Sequence, residues 1–182
     1  MAVGGFDRTA NLLGALSLFV GDRMTDALTE ASGMSSSAAT ALAALHHFLD
    51  GPSIDLLRQV LGLTSSGTVR LVDQLEQARC VERRSGEDGR TTSVWLTQRG
   101  RQLARRASDA RAGVLEGVVS VLSARDREAL ERITSKLLVS LMREPGAVRW
   151  MCRLCHTQVC GHDTGDCPVT RAAIGRSALP SD

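Results

Sequence analysis

Aromatic side chains make up only 3% of the 182 residues, and there is no tyrosine. A platform that stacks successive bases of single-stranded nucleic acid needs aromatic faces, so that mode of binding is excluded. Lysine is nearly absent too: Lys136 stands alone among 22 basic residues, the other 21 being arginine. Planar guanidinium forks, which match phosphate oxygens and base edges, therefore carry almost all the positive charge. Neither sign of charge is in large excess, since 20 acids leave a net +2. That excludes a polybasic arm and an acidic disordered chain alike. No apolar run approaches the roughly 18 residues that span a bilayer, so no membrane partner is expected. Leu12–Val20 has the look of a signal-peptide core. However, Asp7 precedes it, no small-x-small cleavage site follows, and the apolar spacing runs on through Met24, Ala27 and Leu28. It reads as an amphipathic helix of a cytoplasmic protein. No nucleophile–base motif, Walker loop or GxGxxG stretch occurs, so no enzymatic activity is expected.

What is present is enough apolar mass for a core: 43% of residues are hydrophobic and 23% charged, in a length that suits one domain or a domain and a half. The first 145 residues read mostly as helix. Leu12, Leu13, Leu16, Phe19, Val20 and Leu28 recur at helical spacing between Arg8 and Ala31, and Gly33 stops that run. Ser35 to Ser37 offer caps for a second helix through Ala43, Leu45, Phe48 and Leu49, closed by Asp50-Gly51-Pro52. Ser53 caps a short third helix that Gly62 ends, and Thr64 or Ser65 opens a fourth through Leu71, Val72 and Leu75. The period then drops to two in Val81–Arg84 and in Thr92–Leu96, with turn chemistry between them. Thr97 caps a long helix from Gln98 to about Leu122, and Ser123 with Asp126 resembles a capping box opening a last one to about Met142. Glu144-Pro145-Gly146 is a break. The expected organisation is a helical domain over 1–145 and a cysteine-rich tail over 146–182 whose irregular sequence predicts no definite element.

Helix, helix, glycine turn, helix, hairpin is the order of a winged helix-turn-helix, so the expected fold is mainly α with a small two-stranded wing. The fourth helix would enter a major groove. Ser65, Ser66 and Thr68 offer short hydroxyls there, Val69 an apolar contact, Arg70 a guanidinium, and Gly67 a close approach. On the hairpin, Arg83, Arg84 and Arg90 surround a glycine-rich tip suited to a minor groove, with Asp88 placed to brace Arg90. From Pro52 to Arg111 there are eleven arginines against seven acids, a local +4, which leaves the rest of the chain at −2. Positive charge thus concentrates where double-stranded DNA would lie.

The run from Leu63 to Gly100 resembles the recognition-helix-and-wing signature of MarR-type regulators. The matching motifs are Arg-Leu-Val-Asp-x-Leu-Glu at 70–76, Asp-x-Arg at 88–90 and Leu-Thr-x-x-Gly at 96–100. The likeness extends over roughly residues 8–143, with one departure at Gln77-Ala78-Arg79-Cys80, where the family commonly has a glycine before the strand. The resemblance implies a homodimer with interleaved first and last helices. It also implies a pseudo-palindromic operator, a repressor more often than an activator, and release by a small molecule, an oxidant or a metal. The apolar faces of the long helices, including Leu130, Ile133, Leu137, Leu138 and Leu141 in the last, independently call for a partner.

Four of the five cysteines crowd into sixteen residues, in the pattern Cys152-x2-Cys155-His156-x3-Cys160-x-His162-x4-Cys167-Pro168. A Cys-x2-Cys pair grips a tetrahedral metal, and two further ligands nearby complete the shell. Cys152, Cys155, Cys160 and Cys167 are the preferred set, with His156 and His162 as alternates, and structural zinc is the favoured occupant. An iron–sulfur cluster is the alternative, followed by thiol switching and a chance cysteine-rich tail. The remaining singled-out residues read plainly: Cys80 as a small buried hydrophobe, His46 and His47 as ordinary core or surface histidines, Trp95 as packing the wing against the body. The rival to a DNA-binding regulator is a small metal- or redox-active thiol protein that uses its helices only to dimerise.

Overall fold

The structure, a computed structural model, describes residues 7–85, 91–142 and 150–177. It is mainly helical with one two-stranded antiparallel sheet. Side-chain caps set the helix starts. Asp7 caps α1 (Arg8–Ser32), Ser35 caps α2 (Ser36–His47), Ser53 caps α3 (Ile54–Leu61) and Thr64 caps α4 (Ser65–Gln77). Each accepts a hydrogen bond from the amide three residues on, the donor that a helix start leaves unpaired. Strands β1 (Val81–Ser85) and β2 (Thr92–Leu96) pair with Val81 opposite Leu96 and Arg84 opposite Ser93. Thr97 then caps α5 (Gln98–Val119) and Ser123 caps α6 (Ala124–Leu141). The Asp126 amide donates to the Ser123 hydroxyl, and that hydroxyl in turn donates to the Asp126 carboxylate, so the aspartate pairs with the cap side chain and not with its backbone amide as a capping box would.

The lobe core gathers Leu42, Leu57, Val72, Leu75, Cys80 and Val94, so α2, α3, α4 and the sheet share one interior. Helix α2 is its centre because alanine covers most of its surface: Ala38, Ala39, Ala41, Ala43 and Ala44 are all buried, letting neighbours approach on every side. Helices α1 and α5 lie side by side and flank it. Gly100, in the first turn of α5, lies so close to the Cys80 carbonyl that a Cβ would collide with it, which locks the helix against the start of β1. Gly51 gives the same close approach to the Trp95 ring, so Trp95 does pack the wing onto the α2–α3 turn.

Two boundaries and the tail differ from expectation. Helix α2 ends at His47, with Phe48 as its C-cap, rather than running through Leu49, and α5 ends at Val119 rather than Leu122. The tail, where no element was expected, forms α7 (Thr157–Cys160) and α8 (Pro168–Ser177). It folds back onto the body. Leu154 packs on Leu28, Ala39 and Ala107 of α1, α2 and α5, and the Thr157 hydroxyl donates to the His47 carbonyl at 3.2 Å. The Glu144–Gly146 break lies outside the described residues.

Candidate nucleic-acid interface and thiol cluster

Helix α4 buries Thr68, Leu71, Val72 and Leu75 and leaves the opposite face to solvent. Ser65, Ser66, Val69 and Arg70 lie on that exposed face, near its N-terminal end. Val69 is an apolar side chain left 43% exposed on an otherwise polar surface. Thr68 corrects the sequence reading. It is fully buried and its hydroxyl donates to the Thr64 carbonyl at 3.0 Å, so it packs α4 onto the lobe and cannot reach a groove. Gly67 likewise serves the cap, its amide bonding Thr64 Oγ1 at 3.1 Å, in a space where a Cβ would press on that hydroxyl.

The wing arginines divide. Arg83 is no free projection: its Nη2 donates to Asp73 Oδ1 at 2.6 Å, its Nη1 to Glu76 Oε2, and its backbone amide also reaches Glu76. Both acids are on α4, so Arg83 ties the first wing strand to that helix, and hydrogen bonding to Asp73 holds its pKa above the ordinary value. The Asp and Glu of the Arg-Leu-Val-Asp-x-Leu-Glu run are therefore the wing's anchor. Sequence reading missed this, although the i, i+3 spacing of Asp73 and Glu76 placed both on one face. Arg84 is the more exposed of the two, pairing with Glu82 while its guanidinium lies 4.9 Å from the Trp95 ring centroid. Asp88 and Arg90 lie outside the described residues.

The turn before β1 accounts for the sequence departure at 77–80. Arg79 has φ +56°, the only positive-φ residue other than glycine among those described, with Cys80 N–H bonding the Leu75 carbonyl at 2.8 Å. The backbone makes the left-handed close that glycine favours, with arginine in the strained place. Cys80 itself is fully buried.

In the tail, Cys152 and Cys167 sit with Met142 and Val169 in a small core, and Cys155 and Cys160 pack against it. Cys152 interacts with Cys155 and Cys160 with Cys167, all four are close enough for their charges to interact, and the Cys160 thiol donates to the Thr157 carbonyl at 3.4 Å. The bond from Cys152 brings the Cys155 thiol down to about 6, with the Arg111 guanidinium helping, and drives Cys152 up. Burial raises Cys160. Burial also opposes ionisation of Cys167, but the amides of Thr170 and Val169 and the Thr170 hydroxyl outweigh it. Among the described residues no three His, Cys, Asp or Glu side chains already converge as a finished metal shell. The alternate ligands are engaged elsewhere. His162 Nδ1 bonds Thr170 Oγ1 at 2.8 Å, and His156 stacks on His47 with ring centroids 4.6 Å apart. His47 in turn bonds Ser108 at 2.9 Å and touches the His46 ring at a tilt, a three-ring contact that the sequence, lacking a partner acid, gave no reason to expect.

Residues 32–91 match the model of the MarR family. Over 91 residues the chain is 34% identical to the transcriptional repressor MprA of Escherichia coli strain K12, an alignment covering 48% of this chain and 52% of that one. The chain thus spans about half the length of the curated relatives it matches. The crystal structure of MepR, a transcription regulator of the Staphylococcus aureus multidrug efflux pump MepA, is similar with a TM-score of 0.63 and 21% identity, covering 75% of this chain and 99% of that one. A MepR–DNA complex is similar with a TM-score of 0.59 and 22% identity, covering 75% of this chain and all of the other. These likenesses show the fold, and no helix among the described residues is long and apolar enough to cross a membrane. The segment that carries the recognition helix and the first wing strand is thus similar to the MarR family, and the fold is that of its winged-helix structures.

Proposed function

We propose that this protein is a non-enzymatic transcriptional regulator, a repressor, that binds a pseudo-palindromic double-stranded DNA site as a homodimer. The observation that carries the reading is the outward face of α4, where Ser65, Ser66, Val69 and Arg70 stand clear of the core on a helix anchored from behind by the wing. Hydroxyls and a guanidinium suit phosphates and base edges, and an exposed valine suits a thymine methyl. Arg84, with Arg90 beyond it in sequence, supplies the wing's contact. DNA binding by MepR and repression by MprA support the same assignment.

Dimerisation is supported by the long helices. Leu12, Leu16 and Phe19 of α1 and Ile133, Leu137 and Leu141 of α6 are all at least 40% exposed, and α6 buries no residue of its own. Apolar faces of that extent need a partner, and a two-fold axis would set two α4 helices about one DNA turn apart. What releases the DNA is a small molecule, an oxidant or a metal, the last two having the four thiols as their point of attack. A gel-shift with the DNA upstream of the chain's own coding region tests the reading. A discrete complex that resists non-specific competitor is expected. A dimer that binds no specific sequence at modest salt, with or without added metal, would leave the thiol-protein alternative standing.

A further inference from the structure

We infer that Cys152, Cys155, Cys160 and Cys167 form a tetrahedral site for one zinc-type divalent cation, which staples the tail onto α2 and α5. All four thiols line one cleft of about 700 Å3, to which Glu131 and Leu138 of α6 also contribute. Neither His156 nor His162 lines that cleft, and both rings have other partners, so of the six candidate ligands of the cysteine motif the four sulfurs remain. Sulfur-rich tetrahedral sites select zinc among the available divalent ions.

Two features of the surroundings fit a metal better than four free thiols. Backbone amides lie beside the sulfurs: Val169 and Thr170 N–H act on Cys167, and His162 N–H, which bonds the Thr157 carbonyl at 3.0 Å, also acts on Cys160. Amides two and three residues on from a cysteine are the outer-shell donors that orient metal-bound thiolates. Arg111 supplies the second feature. Its Nε is buried with no hydrogen-bond partner among the described residues, and its charge acts on Cys155. A buried guanidinium atom without a partner is costly, and a nearby anion answers that cost. One divalent cation held by four thiolates is a complex of net charge −2, which Arg111 partly offsets, and every thiol still protonated releases its proton to solvent on loading.

The staple matters because of where the tail docks. The segment between the first and third ligands carries Leu154 into the α1–α2–α5 junction and bonds Thr157 to the end of α2. Fixing the ligands therefore fixes that contact.

The test uses the full chain, purified without chelator, and does not depend on DNA binding. Elemental analysis should find about one zinc per chain. Cobalt(II) added to stripped protein should give the intense visible bands of tetrahedral thiolate coordination. Cys155→Ser and Cys167→Ser should each weaken cobalt affinity by at least the roughly tenfold that loss of an outer-shell partner costs. His156→Ala, His162→Ala and Cys80→Ser should leave the spectrum unchanged. Chelation of the wild type should speed proteolysis after Trp150 before the body is cut, a readout free of any folding defect in the variants. Metal-free protein whose cobalt spectrum is octahedral, or is unaffected by Cys155→Ser and Cys167→Ser, overturns the inference. So does brown protein containing iron and sulfide, or a Cys152–Cys155 disulfide recovered from anaerobic, metal-free protein.

Discussion

The α4–wing lobe and the cysteine tail are held by different means. The lobe has an apolar interior spread over four helices and a sheet, with side-chain caps at the helix starts and an arginine clamp fixing its hairpin. The tail has a buried core of four residues, two of them cysteine, and its order depends on leaning against α2, α5 and α6. A core that small stabilises little, and chains of this size usually need a metal or a cross-link. The lobe is thus stable through burial and is free to devote its outer face to a ligand.

The comparison breaks most visibly in the lobe. Leu42→Ala removes a fully buried side chain from the centre of α2 and should cost about 2–5 kcal/mol, read as a large fall in unfolding midpoint at fixed protein concentration. Metal content of the tail in the folded fraction should stay unchanged. If Leu42→Ala instead cost no more than a surface substitution, the lobe would not be the stability core.

Next in size are two arginines that sequence alone treats alike. Arg70 faces outward from α4, so Arg70→Ala should weaken operator binding by roughly 1–3 kcal/mol with the unfolding midpoint unmoved. Arg83 is held by Asp73 and Glu76, all three partly exposed, so Arg83→Ala should cost only about 0.5–1 kcal/mol of stability. Its effect on DNA should come from a loosened wing and be partly rescued by Arg83→Lys. Equal binding losses from both, with equal stability, would mean that Arg83 touches DNA and the clamp is incidental.

Much of this was legible in the sequence, for identifiable reasons. Ser35, Ser53, Thr64, Thr97 and Ser123 announce helix starts because a short hydroxyl has few better uses before an apolar period. The alternation of Val81–Arg84 and Thr92–Leu96 announced the wing. The solvent face of α4 was legible only in part. Spacing puts Thr68 beside Ser65 and Arg70 in sequence, but the inward turn of α4 decides which hydroxyls see solvent. Arg83 likewise looked free because its partners are seven and ten residues away on another element. The tail resisted most: α7 and α8 are short, their apolar period is weak, and the docking surface for Leu154 consists of residues more than a hundred positions earlier in α1 and α2 together with Ala107 of α5.

A smaller effect ties the two regions together through pH. Burial, then the charges of His46, His156 and Arg111, lower His47 to about 4, with Asp109 opposing. Its folded-state pKa therefore lies below the unfolded value near 6.5. Above that value neither state binds the proton and there is no penalty. Between about 6.5 and 4 the unfolded chain takes up a proton that the folded chain refuses, so stability falls as pH falls through that window. Unfolding midpoints at pH 7.5, 6 and 5 should show this slope, and His47→Asn should flatten it. A slope unchanged in His47→Asn would assign it to other groups.

The smallest effect expected is a gain. Arg79 holds the left-handed turn that links α4 to the wing, at φ +56°, a conformation that costs a residue with a Cβ about 1 kcal/mol. Its carbonyl accepts the Thr97 hydroxyl at 2.7 Å, a bond that any residue at 79 can make. Arg79→Gly should relieve the strain while adding backbone freedom to the unfolded chain, for a net stabilisation of roughly 0.5 kcal/mol. Its removal also lowers the positive charge near the wing by one. Stability and DNA affinity should then move in opposite directions: a slightly higher unfolding midpoint, and weaker binding that converges on wild type as salt is raised. A lower midpoint would mean that the arginine side chain stabilises the turn by more than its backbone strain costs. An affinity loss that persists at high salt would place Arg79 in direct contact with a base.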